Sequence, residues 1–402
     1  MIYLDNNATT QIAPEVRDVM IPYLGELYFN PSSMYEPAME TRRAIESARE
    51  KIAAFLDAQS TKELLFTSCA TESNNMAVFG LTRAQPQRKH IITTAVEHPA
   101  ILEVCKELER TGYEITYLSV DRSGNINLGE YVRALRPDTL LVSIMHANNE
   151  IGTIYPIERL SRIAKETDPS ILFHTDATQS FTKLPIQMRG NFRHVDMVSF
   201  SGHKFHAPKG IGGIYIRRGT PCRTFMIGGH QENGRRGGTE NVAYIVGMSK
   251  AVELAQVNHD QEIRQITALR DRLEQGLLQR IPYVEVNGAD APRMPNTLNI
   301  ACHYIEGEGI LYQLSEAGIC ASSGSACTSG SLEPSHVLKA MDVPFTGMHG
   351  SVRFSLSRYT TEQEIDKVLE VFPRIVANLR ALSPYWDNAT QKPRENAMLE
   401  TG

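Results

Sequence analysis

Two ionisable residues stand where apolar stretches end, in places where a plain core would have aliphatic side chains. Asp176 closes the run ILFHTD, and Lys204 follows the run MVSFSGH. Burying either charge at a strand end costs free energy unless the charge meets a partner. A structural ion pair is one interpretation. The other is a pyridoxal phosphate site, in which the lysine forms a Schiff base and the aspartate pairs with the protonated pyridine nitrogen.

Small and polar residues beside two of these stretches could bind an anion. Ala70 and Thr71 follow LLFTSC and lead into a helical segment. A helix N-terminus presents free backbone N–H groups and a positive dipole end, which suit a phosphate. Thr71 could instead be a plain helix N-cap. Ser201 and His203, just before Lys204, would point further donors at the same phosphate.

Three more polar residues follow or interrupt apolar runs. His98 follows HIITTAVE, where a satisfied structural histidine is the alternative to a functional one. Asn149 ends another run and could hydrogen-bond a polar ring substituent, or belong to an Asn-rich turn. Arg353 interrupts SVRFS with a planar guanidinium that suits a carboxylate. The alternative interpretation is a surface charge on a strand.

One segment combines a cysteine with residues too small to anchor it. The stretch 321–331, ASSGSACTSGS, contains Cys327 and is predicted to be an exposed, mobile loop. A free thiol is only a few per cent thiolate at pH 7, so a nucleophilic Cys327 needs a basic or cationic neighbour. No pair among the 6 cysteines has C-x-x-C spacing, which argues against a disulfide scaffold or a structural zinc site.

Short apolar runs that alternate with helical stretches must position these residues. They cover 64–68, 90–96, 113–118, 140–145, 171–177, 197–202 and 211–218. This alternation predicts βαβ crossovers and a doubly wound, mostly parallel sheet. Open sheets of this kind bind ligands at the carboxyl ends of their strands, which is where the polar residues stand.

The pattern changes near residue 256 and predicts a second, smaller α+β domain. A helix over 260–279, strands at 298–302 and 351–357 and a helix over 307–316 make up this part. We predict a large cofactor-binding domain over 12–258 and a small domain from 1–11 with 259–383, which carries the cysteine loop. The remaining stretch, 384–402, is predicted to be a polar, poorly ordered tail.

Composition narrows the classes of partner. The chain has 402 residues, with Lys+Arg 41 against Asp+Glu 46 and a net charge of -5, so nucleic acid and anionic membranes are not expected partners. The N-terminus lacks the basic flank and uninterrupted apolar stretch of a signal peptide, and no apolar run approaches a membrane span. We therefore expect a cytoplasmic protein.

Eight segments, taken in order, resemble the cysteine desulfurases, which are pyridoxal-phosphate enzymes of the class V aminotransferase group. They are LDNNATT (4–10), TSCATES (67–73), EHPA (97–100), HANNEIG (146–152), HTDATQS (174–180), SFSGHK (199–204), RRGGTEN (235–241) and SSGSACTSGSLEPSHVL (322–338). RRGTPCR, GGHQENGRRGGTEN, SLEPSHVLKAMDVP and SPYW are most similar to the nitrogen-fixation branch. The resemblance implies the fold type I transferase architecture and a homodimer with active sites near the subunit boundary.

The resemblance also implies a role for each candidate residue. Lys204 matches the Schiff-base lysine, Asp176 the acid on the pyridine nitrogen, and His98 the residue that stacks on the ring and handles protons. Asn149 and Gln179 match residues near the ring's phenolic oxygen; Ala70, Thr71, Ser201 and His203 match phosphate ligands, with Thr239 reaching the phosphate from the partner subunit. Arg353 matches the clamp on the substrate carboxylate, and Cys327 the thiol that attacks the substrate sulfur.

The activity implied is conversion of L-cysteine to L-alanine, with sulfur passing to Cys327 as a persulfide. An iron–sulfur scaffold protein would then accept the sulfur, in a nitrogenase-related role. Cys327 is also a candidate transient ligand of an iron–sulfur cluster. The alternatives are a selenocysteine lyase or an aminotransferase of the same fold, and, from another class, a noncatalytic sulfur carrier.

Overall fold

The structure is a computed structural model that describes residues 1–323 and 334–394. After β1 (Ile2–Tyr3), seven strands form the large sheet: β2 (Leu64–Thr67), β3 (His90–Thr94), β4 (Glu114–Leu118), β5 (Thr139–Ser143), β6 (Leu172–Asp176), β7 (Met197–Ser201) and β8 (Gly212–Ile216). Six of the seven lie within one of the apolar runs, and β5 begins one residue before its run, so the prediction of these strands is confirmed. Their order in space is β2-β8-β7-β6-β5-β3-β4.

The sheet is mostly parallel, as predicted. β4, β3, β5, β6 and β7 are joined by parallel pairings, while β8 pairs antiparallel with both β7 and β2. β8 is thus the one reversed strand of the seven. The other six strands run in one direction, and their carboxyl ends meet at a single edge of the sheet.

Helices cover both faces of this sheet. They are α1 (Pro14–Leu24), α2 (Glu36–Phe55), α3 (Ala70–Ala84), α4 (Pro99–Arg110), α5 (Leu128–Ala134), α6 (Ile157–Thr167) and α7 (Val242–Gln256). Alternate strand residues enter opposite cores: Ile91 joins a cluster with residues of α3 and α4, while Ile92 joins one with residues of α1, α2, α6 and α7. The continuous apolar character of the runs follows from this burial on both faces.

The remaining elements form a second layer of strands and helices. They are α8 (His259–Arg280), β9 (Val284–Val286), β10 (Thr297–Cys302), α9 (Gly307–Glu316), β11 (Ile319–Cys320), α10 (His336–Ala340), α11 (Phe345–His349), β12 (Ser351–Ser355) and α12 (Glu362–Leu382). β12, β10 and β9 form an antiparallel sheet, and β1 pairs in parallel with β11. Leu4 packs in the same core as α8 and α12, so the N-terminal segment belongs to this layer.

Residues 385–394 differ from their prediction. β13 (Trp386–Asp387) and β14 (Lys392–Pro393) form a short hairpin where we predicted a poorly ordered tail. Trp386 is 3% exposed. The Arg380 guanidinium carbon lies over the Trp386 ring, 4.8 Å from the ring centroid. Burial of this large aromatic ring explains why the hairpin is ordered. The prediction missed the hairpin because the segment is mostly polar. In the described ranges, no helix has both the length and the apolar character to cross a bilayer.

Candidate active site

A cavity of about 410 Å³ lies at the edge where the carboxyl ends of the parallel strands meet. Its lining includes Cys69 and ten of the candidate residues: Ala70, Thr71, His98, Asn149, Asp176, Gln179, Ser201, His203, Lys204 and Arg353. These residues come from five strand ends of the large sheet and from β12. The geometry therefore brings together groups that are far apart in the sequence.

Asp176 is the last residue of β6 and is 6% exposed. Its Oδ2 accepts a hydrogen bond from Asn74 Nδ2 at 2.7 Å, and its Oδ1 accepts one from the Thr178 backbone N–H at 2.9 Å. Two donors fix this carboxylate in the cavity wall. Lys204 is not among these donors, so the structure does not support the alternative of a simple Asp176–Lys204 ion pair.

Lys204 lies in the short 3₁₀ turn that follows β7. Its ammonium donates to the backbone carbonyls of Asn7 and Ala8, the latter at 2.9 Å. Gln179 also uses the Asn7 carbonyl, through its Nε2 at 3.0 Å. The N-terminal segment thus forms one wall of the cavity and positions both the amine and an amide.

One end of the cavity is built to receive an anion. Ala70 and Thr71 open the 15-residue helix α3, whose N-cap is Cys69 without a side-chain cap. Thr71 is therefore not the N-cap, and the plain capping interpretation is wrong. The Ser201 hydroxyl is buried and has no hydrogen-bond partner within residues 1–323 and 334–394. Free N–H groups and an unsatisfied hydroxyl at one helix N-terminus suit a phosphate group.

His203 completes this end of the cavity. Burial, together with the charges of Lys204 and Lys209, lowers the pKa of His203 to about 4. Its Nδ1 lies 3.2 Å from the Thr9 hydroxyl. The imidazole is consequently neutral at pH 7 and acts there as a hydrogen-bonding group.

His98 both caps α4 and lines the cavity. Its Nδ1 accepts a hydrogen bond from the Ala100 backbone N–H at 3.1 Å, which leaves the proton of the neutral ring on Nε2. Burial lowers its pKa; the nearby Asp176 carboxylate opposes this effect and Lys204 adds to it. The structural role of His98 as a helix cap uses Nδ1, and Nε2 is the ring atom that could serve a functional role.

Arg353 lies on β12 and is 1% exposed, which excludes a surface strand charge. Its Nη1 donates to the Asn149 carbonyl at 2.9 Å, and its Nη2 contacts Asp5 Oδ1 at 2.8 Å. The neighbouring Asn148 shapes the turn by accepting from the Glu150 and Ile151 N–H groups. Asn149 is thereby left to line the cavity beside a guanidinium that can receive a carboxylate.

Two candidates lie elsewhere. Thr239 is exposed, and it is not among the residues that line this cavity. Cys327, proposed as the sulfur acceptor and as a transient cluster ligand, lies outside the described residues.

Sequence reasoning missed several groups that shape the site. Asn74 holds Asp176, and Asn7 holds Gln179 and Lys204. Glu97 is fully buried; its Oε1 accepts from the Met145 N–H at 2.9 Å, and burial raises its pKa to about 8. Asn7 and Glu97 stand inside the quoted motifs LDNNATT and EHPA, which could have drawn attention to them. Asn74 follows its motif by one position, one helical turn after Thr71.

Comparison with known proteins identifies the class. The family described as Aminotransferase class-V matches residues 2–368, and the chain belongs to this family. It is 55% identical over 385 residues to a protein of Trichormus azollae named cysteine desulfurase, covering 96% of this chain and 95% of that protein. It is 51% identical, with the same coverage, to a protein of Azotobacter vinelandii named cysteine desulfurase NifS.

A solved structure has the same fold. A chain titled NifS-like protein superposes with a TM-score of 0.87 at 39% identity, covering 94% of this chain and 100% of that one. The predicted fold class, an α/β transferase with a large, mostly parallel sheet and a smaller α+β part, is confirmed by this similarity.

Proposed function

We propose that this protein is a cysteine desulfurase, which converts L-cysteine to L-alanine and passes the sulfur to its own Cys327. The observation that carries the proposal is the single cavity that joins Asp176, Lys204, His98 and Arg353 at one sheet edge. Relatives that share 51% and 55% of this sequence over nearly its full length bear the name of this activity.

We propose pyridoxal 5'-phosphate as the cofactor, because the residues present fit its two polar ends. The unpartnered Ser201 hydroxyl, the N–H groups at the start of α3 and neutral His203 suit the phosphate. At the other end, the Asp176 carboxylate has the charge that a protonated pyridine nitrogen requires. Lys204 lines the same cavity and would supply the amine for covalent attachment. When bound, the cofactor would act as the electron sink that makes the substrate's α-proton acidic.

The chain's own residues would bind the substrate and move its protons. The Arg353 fork would pair with the α-carboxylate, with the Asn149 carbonyl and Asp5 holding the guanidinium in place. The Lys204 amine would be the base that takes the α-proton. The neutral His98 ring carries its proton on Nε2, and burial, which lowers its pKa, favours this neutral form as a hydrogen-bond donor in the cavity.

In the sulfur step, the sulfur atom of L-cysteine is transferred to the thiol of Cys327. The Cβ–S bond of L-cysteine breaks, an S–S bond forms at Cys327 Sγ, and the carbon skeleton gains the hydrogen that makes alanine. The products are alanine and a Cys327 persulfide. No external oxidant or reductant is required.

We further propose a homodimer in which Thr239 of one subunit completes the phosphate site of its partner. Its exposed position on a single chain is consistent with that role. We propose that an iron–sulfur scaffold protein accepts the sulfur, in the nitrogen-fixation context of the Azotobacter vinelandii relative. In this proposal residues 12–258 bind the cofactor, and residues 1–11 with 259–383 form the smaller domain.

The proposal is tested by adding pyridoxal 5'-phosphate to cofactor-free protein and reducing the mixture with borohydride. We expect a yellow chromophore that borohydride bleaches, and a pyridoxyl group on Lys204 in the peptide map. The Lys204→Ala variant is expected to give neither. Labelling of another lysine, or no chromophore in the wild type, would contradict the proposal and favour a noncatalytic sulfur carrier.

A further inference from the structure

A second lysine lies behind the cavity. Lys183 Nζ donates to the backbone carbonyls of Gln179 and Lys204, at 3.0 Å in each case. Lys183 belongs to the turn that follows β6, and Lys204 to the turn that follows β7. Lys183 itself is not among the residues that line the main cavity. One side chain therefore ties together the two turns that supply an amide and the amine to the site.

Each of the two turns joined by Lys183 contains a non-glycine residue with a positive φ. Thr182, which is 6% exposed, has a φ of 68°, and His206 in the second turn also has a φ of 68°. A left-handed conformation is uncommon for any residue other than glycine, and especially so for a β-branched one. Such strain persists only where surrounding contacts over-determine it. The two hydrogen bonds of Lys183 join the turns that contain these strained residues, and we interpret them as contacts that stabilise the strained conformations.

The charges around Lys183 come from three parts of the fold. Burial, followed by the charge of Lys204, lowers the pKa of Lys183 to about 7; Glu262 opposes this and Arg358 adds to it. Glu262, on α8, and Arg358, after β12, pair with each other at 3.2 Å. A neutral amine keeps two N–H donors, so both hydrogen bonds survive loss of the proton.

Two nearby histidines add no charge to this group. Burial is the main cause that lowers the pKa of His203 to about 4 and of His206 to about 3, so both are neutral at pH 7. Lys204 is therefore the main cationic neighbour of Lys183 near neutrality, ahead of Arg358. Each disfavours a positive charge on the other.

We propose that Lys183 is a positioning residue: by bridging the carbonyls of Gln179 and Lys204, it fixes the amine against the cofactor and disfavours positive charge at the Lys204 nitrogen. The inference rests on the proposed cofactor site. It assigns a role to a group that the proposed reaction does not otherwise use.

The test compares cofactor-loaded wild type with Lys183→Met, Lys183→Gln and Lys209→Met. Lys209 is exposed and follows the Lys204 turn, so its variant is a matched loss of one lysine. We expect Lys183→Met to release pyridoxal 5'-phosphate at least about tenfold faster, because two partly buried hydrogen bonds are lost. We also expect the pH midpoint of the bound chromophore's absorbance to rise by about half a unit or more. Lys209→Met is expected to match the wild type in both.

Lys183→Gln separates hydrogen bonding from charge, and it also serves if the methionine variant does not fold. It keeps amide donors, so we expect slower release than from Lys183→Met but the same shift of the midpoint. Unchanged release and midpoint in both Lys183 variants, with only a lower melting temperature, would overturn the inference while leaving the proposed function intact. A wild type that takes up no cofactor would overturn both.

Discussion

Replacing Asn74 with alanine is expected to weaken binding of pyridoxal 5'-phosphate about 10- to 100-fold, through Asp176. The Asn74 amide donates to the Asp176 carboxylate at 2.7 Å, and both side chains are buried. Without it, the Thr178 N–H is the carboxylate's remaining hydrogen-bond donor among the described residues. A hydrogen bond to a charged group contributes about 1.5–3 kcal/mol. Since about 1.4 kcal/mol corresponds to a factor of ten, this gives the expected range.

The neighbouring Asn75 provides a matched control on the same helix. Its amide donates to the Thr71 carbonyl at 2.9 Å, in a solvent-exposed bond within α3. We expect Asn75→Ala to change the affinity less than about threefold, because an exposed neutral hydrogen bond contributes about 0.5 kcal/mol. The assay titrates cofactor-free protein with pyridoxal 5'-phosphate and follows the chromophore. Equal affinities for the two variants would refute the reasoning.

Three further perturbations follow from buried charges. Arg353→Gln should raise KM for L-cysteine about 100-fold, because a bidentate carboxylate contact of about 3 kcal/mol is lost; steady-state kinetics with unchanged KM would contradict this. Burial lowers the pKa of His146 and of His174 to about 4, so the folded chain binds fewer protons than the unfolded chain. The free energy of unfolding should therefore fall between about pH 6.5 and 4, by up to about 1.4 kcal/mol per pH unit for each histidine. His174→Gln should flatten that dependence in urea titrations, and an unaltered slope would argue against it. Glu232→Gln should destabilise the fold by about 3 kcal/mol, since it removes the buried carboxylate that pairs with Arg49 at 2.7 Å and leaves Arg49 with the exposed Glu46 at 3.3 Å; an unchanged urea midpoint would exclude this.

The large sheet was predictable because its strands are buried on both faces. Runs such as 90–96 and 140–145 are apolar without interruption, and they alternate with helices at βαβ spacing. The hairpin at Trp386 was not predictable in this way. Its order depends on contacts of Trp386 with Arg380 at the end of α12 and with Tyr283, and Tyr283 lies far away in the sequence.

The site was predictable to the extent that its residues end strands. Asp176 and Lys204 stand where an apolar run stops, so their type and position indicated chemistry. The sequence positions of Asn74 and Lys183 do not indicate chemistry. Asn74 lies inside a helix, and Lys183 lies in a turn whose sequence is typical of a protein surface. Their roles follow from hydrogen bonds to residues on other strand ends, and local pattern does not encode those contacts.

The central claim is that sulfur passes from L-cysteine to Cys327 in a site that holds the cofactor. The most direct test measures alanine released from L-cysteine by the wild type, Cys327→Ala and Cys320→Ala, with cofactor occupancy determined in each. Cys320 lies on β11 and has no role in the proposed mechanism, so its variant controls for loss of a thiol. We predict alanine from the wild type and from Cys320→Ala, and its collapse in Cys327→Ala at full cofactor occupancy. Equal alanine release by all three would contradict the persulfide mechanism and favour a lyase.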